Sequence, residues 1–323
     1  MSAPVLEVAG LHVSFATPRG PVRALRGVDL AVPADRIVGI VGESGCGKST
    51  LISAIIRLLA PNASIDAGAI RLEGEDVLAM AEEGLRDLRG RRVAMVFQDP
   101  MTALNPVLSI GRQMIDIQWR DRLPEREKRR RAVDMLRQVG IADPECRIDG
   151  YAHQFSGGMR QRVCIAMALL MNPGLLIADE PTTALDVTLE AQIVHLIREM
   201  KRRFSGSILF ISHNLGLIAG LCDEVVVMYA GEVVERGQVH DIFHRPAHPY
   251  TRLLLDCDPA RIAVATRQLP TIAGEVADPL NLPAGCVFAP RCPARIAECT
   301  ATRPGMRELG GGHAARCLRA GQP

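Results

Sequence analysis

The chain has 323 residues, of which 48% are hydrophobic and only 3% aromatic. That length exceeds one average domain and can bury a sizeable core, and a core this aliphatic suits an α/β protein with buried parallel strands. A net charge of +2 gives no basic footprint for nucleic acid, and no apolar run approaches the roughly 18 residues needed to cross a bilayer.

The start, Met1-Ser2-Ala3-Pro4-Val5, has no charged region followed by an apolar one, so no secretion signal is expected. The expected location is the cytosol, or the cytosolic face of a membrane. Val5–Val8, Leu11–Phe15 and Val28–Val32 read as strands, with a turn at Thr17–Pro21. Phe15 closes its strand, where its ring can stack on an adenine or pack as a core aromatic. Arg36–Val41 reads as a buried strand and Thr50–Ile56 as a helix. Between them lies Gly42-Glu43-Ser44-Gly45-Cys46-Gly47-Lys48-Ser49, a phosphate-binding loop in its proper strand-to-helix context. Its glycines let backbone N–H groups converge on a phosphate at a helix N-terminus. Lys48 then spans the β- and γ-phosphates, and the Ser49 hydroxyl ligates Mg²⁺.

Strand character returns over residues 70–98 and ends at Gln98, whose neutral amide can touch Mg²⁺ or an attacking water. Residues 101–172 read as mainly helical, over Ile110–Ile117, Glu125–Val139 and Met159–Met171. The charge run Glu125–Arg131 reads as a solvated helix face. Within this block, Ser156 can cap a helix while Gly157 and Gly158 leave its N–H groups uncovered, a second anion site or a plain helix cap. Leu175–Ala178 is an apolar strand that ends in adjacent carboxylates. Asp179 suits Mg²⁺, and Glu180 suits a general base acting on water. The loop Thr183–Asp186 leads to a helix over Leu189–Phe204. The strand Ser207–Ser212 ends at His213, placed to reach a γ-phosphate from the pocket edge. Residues 214–255 give a helix, strands at Glu224–Tyr229 and Glu232–Glu235, and a last helix.

Beyond residue 255 helical periodicity fades, and Pro and Gly become frequent. Of nine cysteines, four crowd the last forty residues: Cys286, Cys292, Cys299 and Cys317, with five, six and seventeen residues between them. A cytosolic chain argues against disulfides. Four thiolates suit a soft metal, although no Cys-x-x-Cys pair signals zinc; Cys292-Pro293 echoes some iron–sulfur loops. Free buried thiols are the other reading. A segment this short and irregular would be hard to hold by burial alone, which favours a structural metal.

In this order, these motifs resemble the ATP-binding cassette (ABC) ATPases over residues 5–255. The resemblance implies an α/β P-loop NTPase fold, with a mixed-sheet core and an inserted helical subdomain at about 100–172 within an ATPase domain at 1–255. It makes Phe15 the adenine-stacking aromatic and Gly42, Ser44, Gly45, Cys46, Gly47, Lys48, Ser49 and Thr50 the Walker A contacts to ATP. Gln98 becomes the lid glutamine, a ligand of Mg²⁺ with Ser49 and Asp179. Ser156-Gly157-Gly158 becomes the signature for a partner's γ-phosphate, Asp179 and Glu180 the Walker B pair, Asp186 the D-loop acid and His213 the switch histidine. Phe155 and Met159 depart from the general signature. They are ordinary in the peptide and nickel importer branch, which Phe97–Pro106 and His248-Pro249-Tyr250-Thr251 also resemble. The whole chain resembles a dipeptide/oligopeptide permease ATPase subunit. Such subunits pair with a second, different ATPase subunit beneath two membrane permeases fed by an extracytoplasmic substrate-binding protein. The resemblance also implies a small irregular metal-binding tail at 256–323, whose four cysteines hold a 4Fe–4S cluster, with Zn²⁺ the alternative. The cargo stays open among peptides, nickel, glutathione and other small solutes. The rival class is a soluble cassette ATPase of DNA repair or translation, which usually carries a long coiled-coil insertion or two cassettes.

Overall fold

The computed structural model describes residues 3–183, 185–258, 261 and 269–321. Met1 and Ser2 of the expected leaderless start, Ala184 of the Thr183–Asp186 loop and parts of the tail lie outside the described residues. In chain order the elements are β1 (Leu6–Thr17), β2 (Gly20–Val32), β3 (Ile37–Val41), α1 (Lys48–Ile55), β4 (Ala63–Leu72), β5 (Glu75–Asp76), α2 (Glu82–Asp87), β6 (Val93–Val96), α3 (Pro100–Ala103), α4 (Ile110–Asp116), α5 (Glu125–Gln138), α6 (Pro144–Arg147) and α7 (Gly157–Leu170). They continue with β7 (Leu175–Asp179), α8 (Val187–Lys201), β8 (Ser207–Ile211), α9 (Leu215–Leu221), β9 (Glu224–Tyr229), β10 (Glu232–Gln238), α10 (Val239–His244), α11 (Pro249–Asp256), α12 (Glu298–Ala301), β11 (Arg307–Gly310) and β12 (His313–Ala315). Contacts divide the chain into two units, residues 1–80 with 212–323, and residues 81–211.

In the first unit, β2, β1, β4 and β5 form an antiparallel sheet. Two strands expected at Val5–Val8 and Leu11–Phe15 are one long strand, because register shifts between Val8 and Leu11 absorb the break in alternation. A second layer runs β11-β12-β10-β9-β3, with β3 and β9 parallel. All five residues of β3 are buried, as expected of a strand covered on both faces. Arg36, expected to open this strand, instead precedes it and pairs with Asp223 at 3.2 Å.

The second unit holds the parallel strands β6, β7 and β8 with α2 to α8. Ser156 Oγ caps α7 by accepting from the Met159 N–H. The helix then buries Val163, Cys164, Ile165 and Ala166. Burial pushes the Cys164 thiol up to about 12, so it is an inert core residue.

The tail is more regular than its composition suggests. β12 pairs with β10 through Glu235↔Ala315 and Arg236↔Ala314. Three residues, His-Ala-Ala, carry no alternation of their own and take strand geometry from the sheet edge that they join. Burial also holds this segment, contrary to the expectation from its length. Val287, Phe288, Ala289, Ala314, Ala315 and Ala320 are all in the core. Phe288 is fully buried against Tyr229, Tyr250 and His248.

Candidate nucleotide site

The phosphate loop leaves the buried end of β3 and enters α1. Gly42 has φ 153°, and a Cβ there would sit 2.2 Å from the Met228 carbonyl oxygen. Gly47 has φ 106°, with Ala24 O at 3.0 Å from a hypothetical Cβ. Both positions are closed to side chains, so the loop can take only one path. Gly47 is also the N-cap of α1, and no side chain caps it. The first-turn N–H groups are therefore left to a ligand, beside the positive end of the helix dipole. Lys48 Nζ folds back onto the carbonyl oxygens of Gly42 at 2.7 Å and Glu43 at 3.2 Å. An incoming phosphate must draw this ammonium off the backbone. Ser44, Gly45 and Ser49 are exposed, and Thr50 is partly so. Cys46 is 1% exposed, and burial raises its thiol pKa; it is a small filler.

His213 belongs to the same unit. Ser212 N donates to Ile40 O at 3.3 Å, which sets Ser212 level with the strand feeding the loop. Asn214 then caps α9, and the His213 side chain is exposed between these anchors. Phe15 is half-buried near the end of β1, where it pairs with Val22 and Ala63. It is not a core phenylalanine and keeps part of its ring uncovered.

In the second unit, Val96 pairs with Ala178, so Gln98 and Glu180 leave the same edge of that sheet. Gln98 is exposed beyond the end of β6, and Asp179 is the last residue of β7. Glu180 has φ 45°, a left-handed conformation rare for a side chain of this kind. Its N–H donates to Ile211 O at 3.0 Å, and its carboxylate accepts from Thr183 Oγ1 at 3.0 Å. Such strain, of order 1–3 kcal/mol, persists where the surroundings dictate it, and it clusters at functional sites. Gly158 and the start of α8 lie together. Leu189 packs 3.0 Å from a hypothetical Cβ on Gly158, and Leu189 N–H donates to Asp186, the N-cap of α8. Gly157 has no such cover closer than 3.9 Å.

The profile of the ABC transporter family matches residues 25–183, and that of the oligopeptide/dipeptide transporter C-terminal region matches residues 234–299. The probable peptide ABC transporter ATP-binding protein y4tR of Sinorhizobium fredii is 46% identical over 320 residues, covering 98% of this chain and 96% of that one. The chain belongs to the ABC transporter ATP-binding proteins. This ABC ATPase is also 45% identical to the dipeptide transport ATP-binding protein DppD of Bacillus subtilis over 315 residues, covering 97% of this chain and 94% of that one. Among solved structures, cbiO1 of Clostridium perfringens, part of the ABC transporter complex cbiONQ, matches with TM-score 0.66 at 30% identity, covering 76% of this chain and 92% of that one.

The tail departs from expectation at its cysteines. Among the described residues, no group of three or more His, Cys, Asp or Glu side chains could hold a metal ion. No formed ligand set for the expected 4Fe–4S cluster, or for the Zn²⁺ alternative, is therefore present among them. Cys286, Cys292, Cys299 and Cys317 do line one small cavity of about 10 Å³, with His248 and Phe288. Burial pushes the Cys286 thiol up to about 11 and raises Cys292 and Cys317.

Sequence reasoning missed three residues of this ABC ATPase's phosphate loop and its supports. Glu43 carries a carboxylate inside the loop, Arg291 pairs with it at 2.7 Å, and the Tyr250 hydroxyl accepts from Glu43 N–H at 2.9 Å. A charged residue in a phosphate loop signals that a partner is needed. Nothing local says that the partner lies 248 residues away.

Proposed function

We propose that this chain is the ATP-hydrolysing subunit of an importer that moves dipeptides or oligopeptides across the cytoplasmic membrane. The observation that carries this is the joint presence of a complete set of nucleotide motifs and the oligopeptide/dipeptide transporter C-terminal region on one chain. Lys48 and the α1 N-terminus bind the β- and γ-phosphates; Ser49, Asp179 and Gln98 serve Mg²⁺. Phe15 stacks on adenine. Glu180 orients the attacking water, and His213 contacts the γ-phosphate. Ser156, Gly157 and Gly158 complete the site of a second ATPase subunit, with Asp186 beside them. That second subunit is a different paralogue, and the two close head to tail on ATP.

The partners are two membrane permeases and an extracytoplasmic substrate-binding protein, with no nucleic acid. No helix among the described residues is long and apolar enough to cross a membrane, which accords with peripheral attachment on the cytoplasmic side. The segment from Phe97 to Trp119 supports a permease contact. Phe97, Met101, Val107 and Trp119 expose 46%, 54%, 77% and 60% of their surfaces, in keeping with a docking patch. The test is co-purification of the chain with its permeases and hydrolysis by that complex. Hydrolysis stimulated by peptide-loaded binding protein supports the reading; stimulation by nickel or glutathione instead reassigns the cargo.

For the tail, the convergence of Cys286, Cys292, Cys299 and Cys317 on one cavity is the observation behind a 4Fe–4S group held by these four thiols. When bound, such a group would supply cross-linking of the tail. Anaerobic purification with iron analysis and a visible spectrum tests it; iron-free, colourless protein that is fully folded removes it.

A further inference from the structure

Glu43 is held from every side. Its N–H donates to Tyr250 Oη at 2.9 Å, and its carbonyl accepts from Lys48 Nζ and Cys46 N, each at 3.2 Å. Its carboxylate receives both arms of the Arg291 guanidinium, Nη1 to Oε2 at 2.7 Å and Nη2 to Oε1 at 3.0 Å. The remaining Arg291 donors are also used. Nε donates to Ala273 O at 3.0 Å, Nη2 to Ile272 O at 3.0 Å, and Nη1 to Tyr229 Oη at 3.4 Å. The Arg291 side chain is 4% exposed and Glu43 25%. A guanidinium with all five N–H groups satisfied and a bidentate partner is fixed in place.

The cation comes from the tail and the anion from the phosphate loop. An unneutralised carboxylate in this loop would repel a triphosphate, and Glu43 N–H and carbonyl are part of the loop backbone itself. We propose that Arg291 is a positioning residue of the nucleotide site: by neutralising and anchoring Glu43 it makes the phosphate loop receptive to ATP, so the tail is a working part of that site. Cys292 follows Arg291 directly in the chain and lines the four-thiol cavity, so changes in that cavity lie one residue from the clamp. The proposal rests on the reading of Gly42–Ser49 as the ATP loop.

The test is Mg-ATP affinity of the full chain by calorimetry, for wild type, K48A, R291Q, R291K and the double variant E43Q/R291Q. Wild type that fails to bind ATP overturns the reading of the loop rather than this inference. With wild-type binding in hand, R291Q is expected to bind about tenfold more weakly, the loss typical of a charged hydrogen bond. E43Q/R291Q, which removes the stranded carboxylate, is expected to recover most of that loss, a recovery that a purely structural role of Arg291 would not give. R291Q affinity within about twofold of wild type, or a double variant no tighter than R291Q, overturns the proposal. Should R291Q not fold, R291K carries the test. Its single ammonium lacks the fork that matches a carboxylate, so ATP binds several-fold more weakly, and unchanged affinity overturns the proposal.

Discussion

Removing the Phe288 ring asks whether the tail is held by burial. The ring is fully buried, with centroids of Tyr229 at 5.2 Å, Tyr250 at 5.3 Å and His248 at 5.8 Å. Truncating a buried Phe to Ala costs about 3–5 kcal/mol, and each lost aromatic pair carries about 0.5–1.5 kcal/mol of that. We therefore expect F288A to lose about 4 kcal/mol, a large share of the roughly 5–15 kcal/mol that stabilises a typical protein. F288L keeps most of the volume and should lose under about 1.5 kcal/mol. Trp119, the only tryptophan, lies in the other unit and is a poor reporter. Urea unfolding followed by circular dichroism, with limited proteolysis of the tail, is the suitable assay. ATP affinity should fall as well, because Tyr250, which Phe288 packs against, supports Glu43. A loss below about 1 kcal/mol with an unchanged proteolysis pattern would refute the packing argument.

Three further outcomes are expected. His248 is wholly buried, and burial lowers its pKa from 6.5 to about 4. The folded state therefore refuses a proton that the unfolded chain accepts, so stability is full above pH 6.5 and falls as pH drops toward 4, by about 3 kcal/mol from this group. H248N keeps an N-cap acceptor for Tyr250 N–H and does not titrate, so its urea midpoint should fall less between pH 7 and pH 5 than that of wild type. E180Q should bind Mg-ATP with near wild-type affinity while the assembled complex loses steady-state hydrolysis by about 100-fold or more; retained turnover would remove Glu180 from the role of base. C292S should lower bound iron per chain and bleach the visible spectrum if the four thiols hold a cluster, and equal iron in both proteins would contradict it.

The nucleotide motifs were legible because each is a local backbone device. The strand Ile37–Val41, the glycines that keep the loop clear of Met228 and Ala24, and the Ser156 cap are each encoded within a few residues. The strand ends that carry Gln98, Asp179 and His213 were readable for the same reason, since buried apolar runs mark where parallel strands stop. What escaped is long-range. Arg291 gave no sign that it pairs with Glu43, and His313-Ala314-Ala315 is a strand only because β10 and β11 pair with it. Buried Glu235 accepts from His313 Nε2 at 2.7 Å and His248 N at 2.9 Å, partners 78 and 13 residues away. The tail was read as irregular because composition records Pro and Gly but not where Phe288 and the four buried alanines are packed.

The central claim is that ATP hydrolysis on this chain drives peptide uptake. The direct measurement is accumulation of a radiolabelled dipeptide in proteoliposomes that hold the permeases, both ATPase subunits and the binding protein, with ATP supplied on the side of the ATPases. Wild type should accumulate the peptide only with hydrolysable ATP, and E180Q should not accumulate it at all. Uptake that persists with E180Q, or that is absent from a wild-type complex that hydrolyses ATP and is loaded with peptide, would contradict the account.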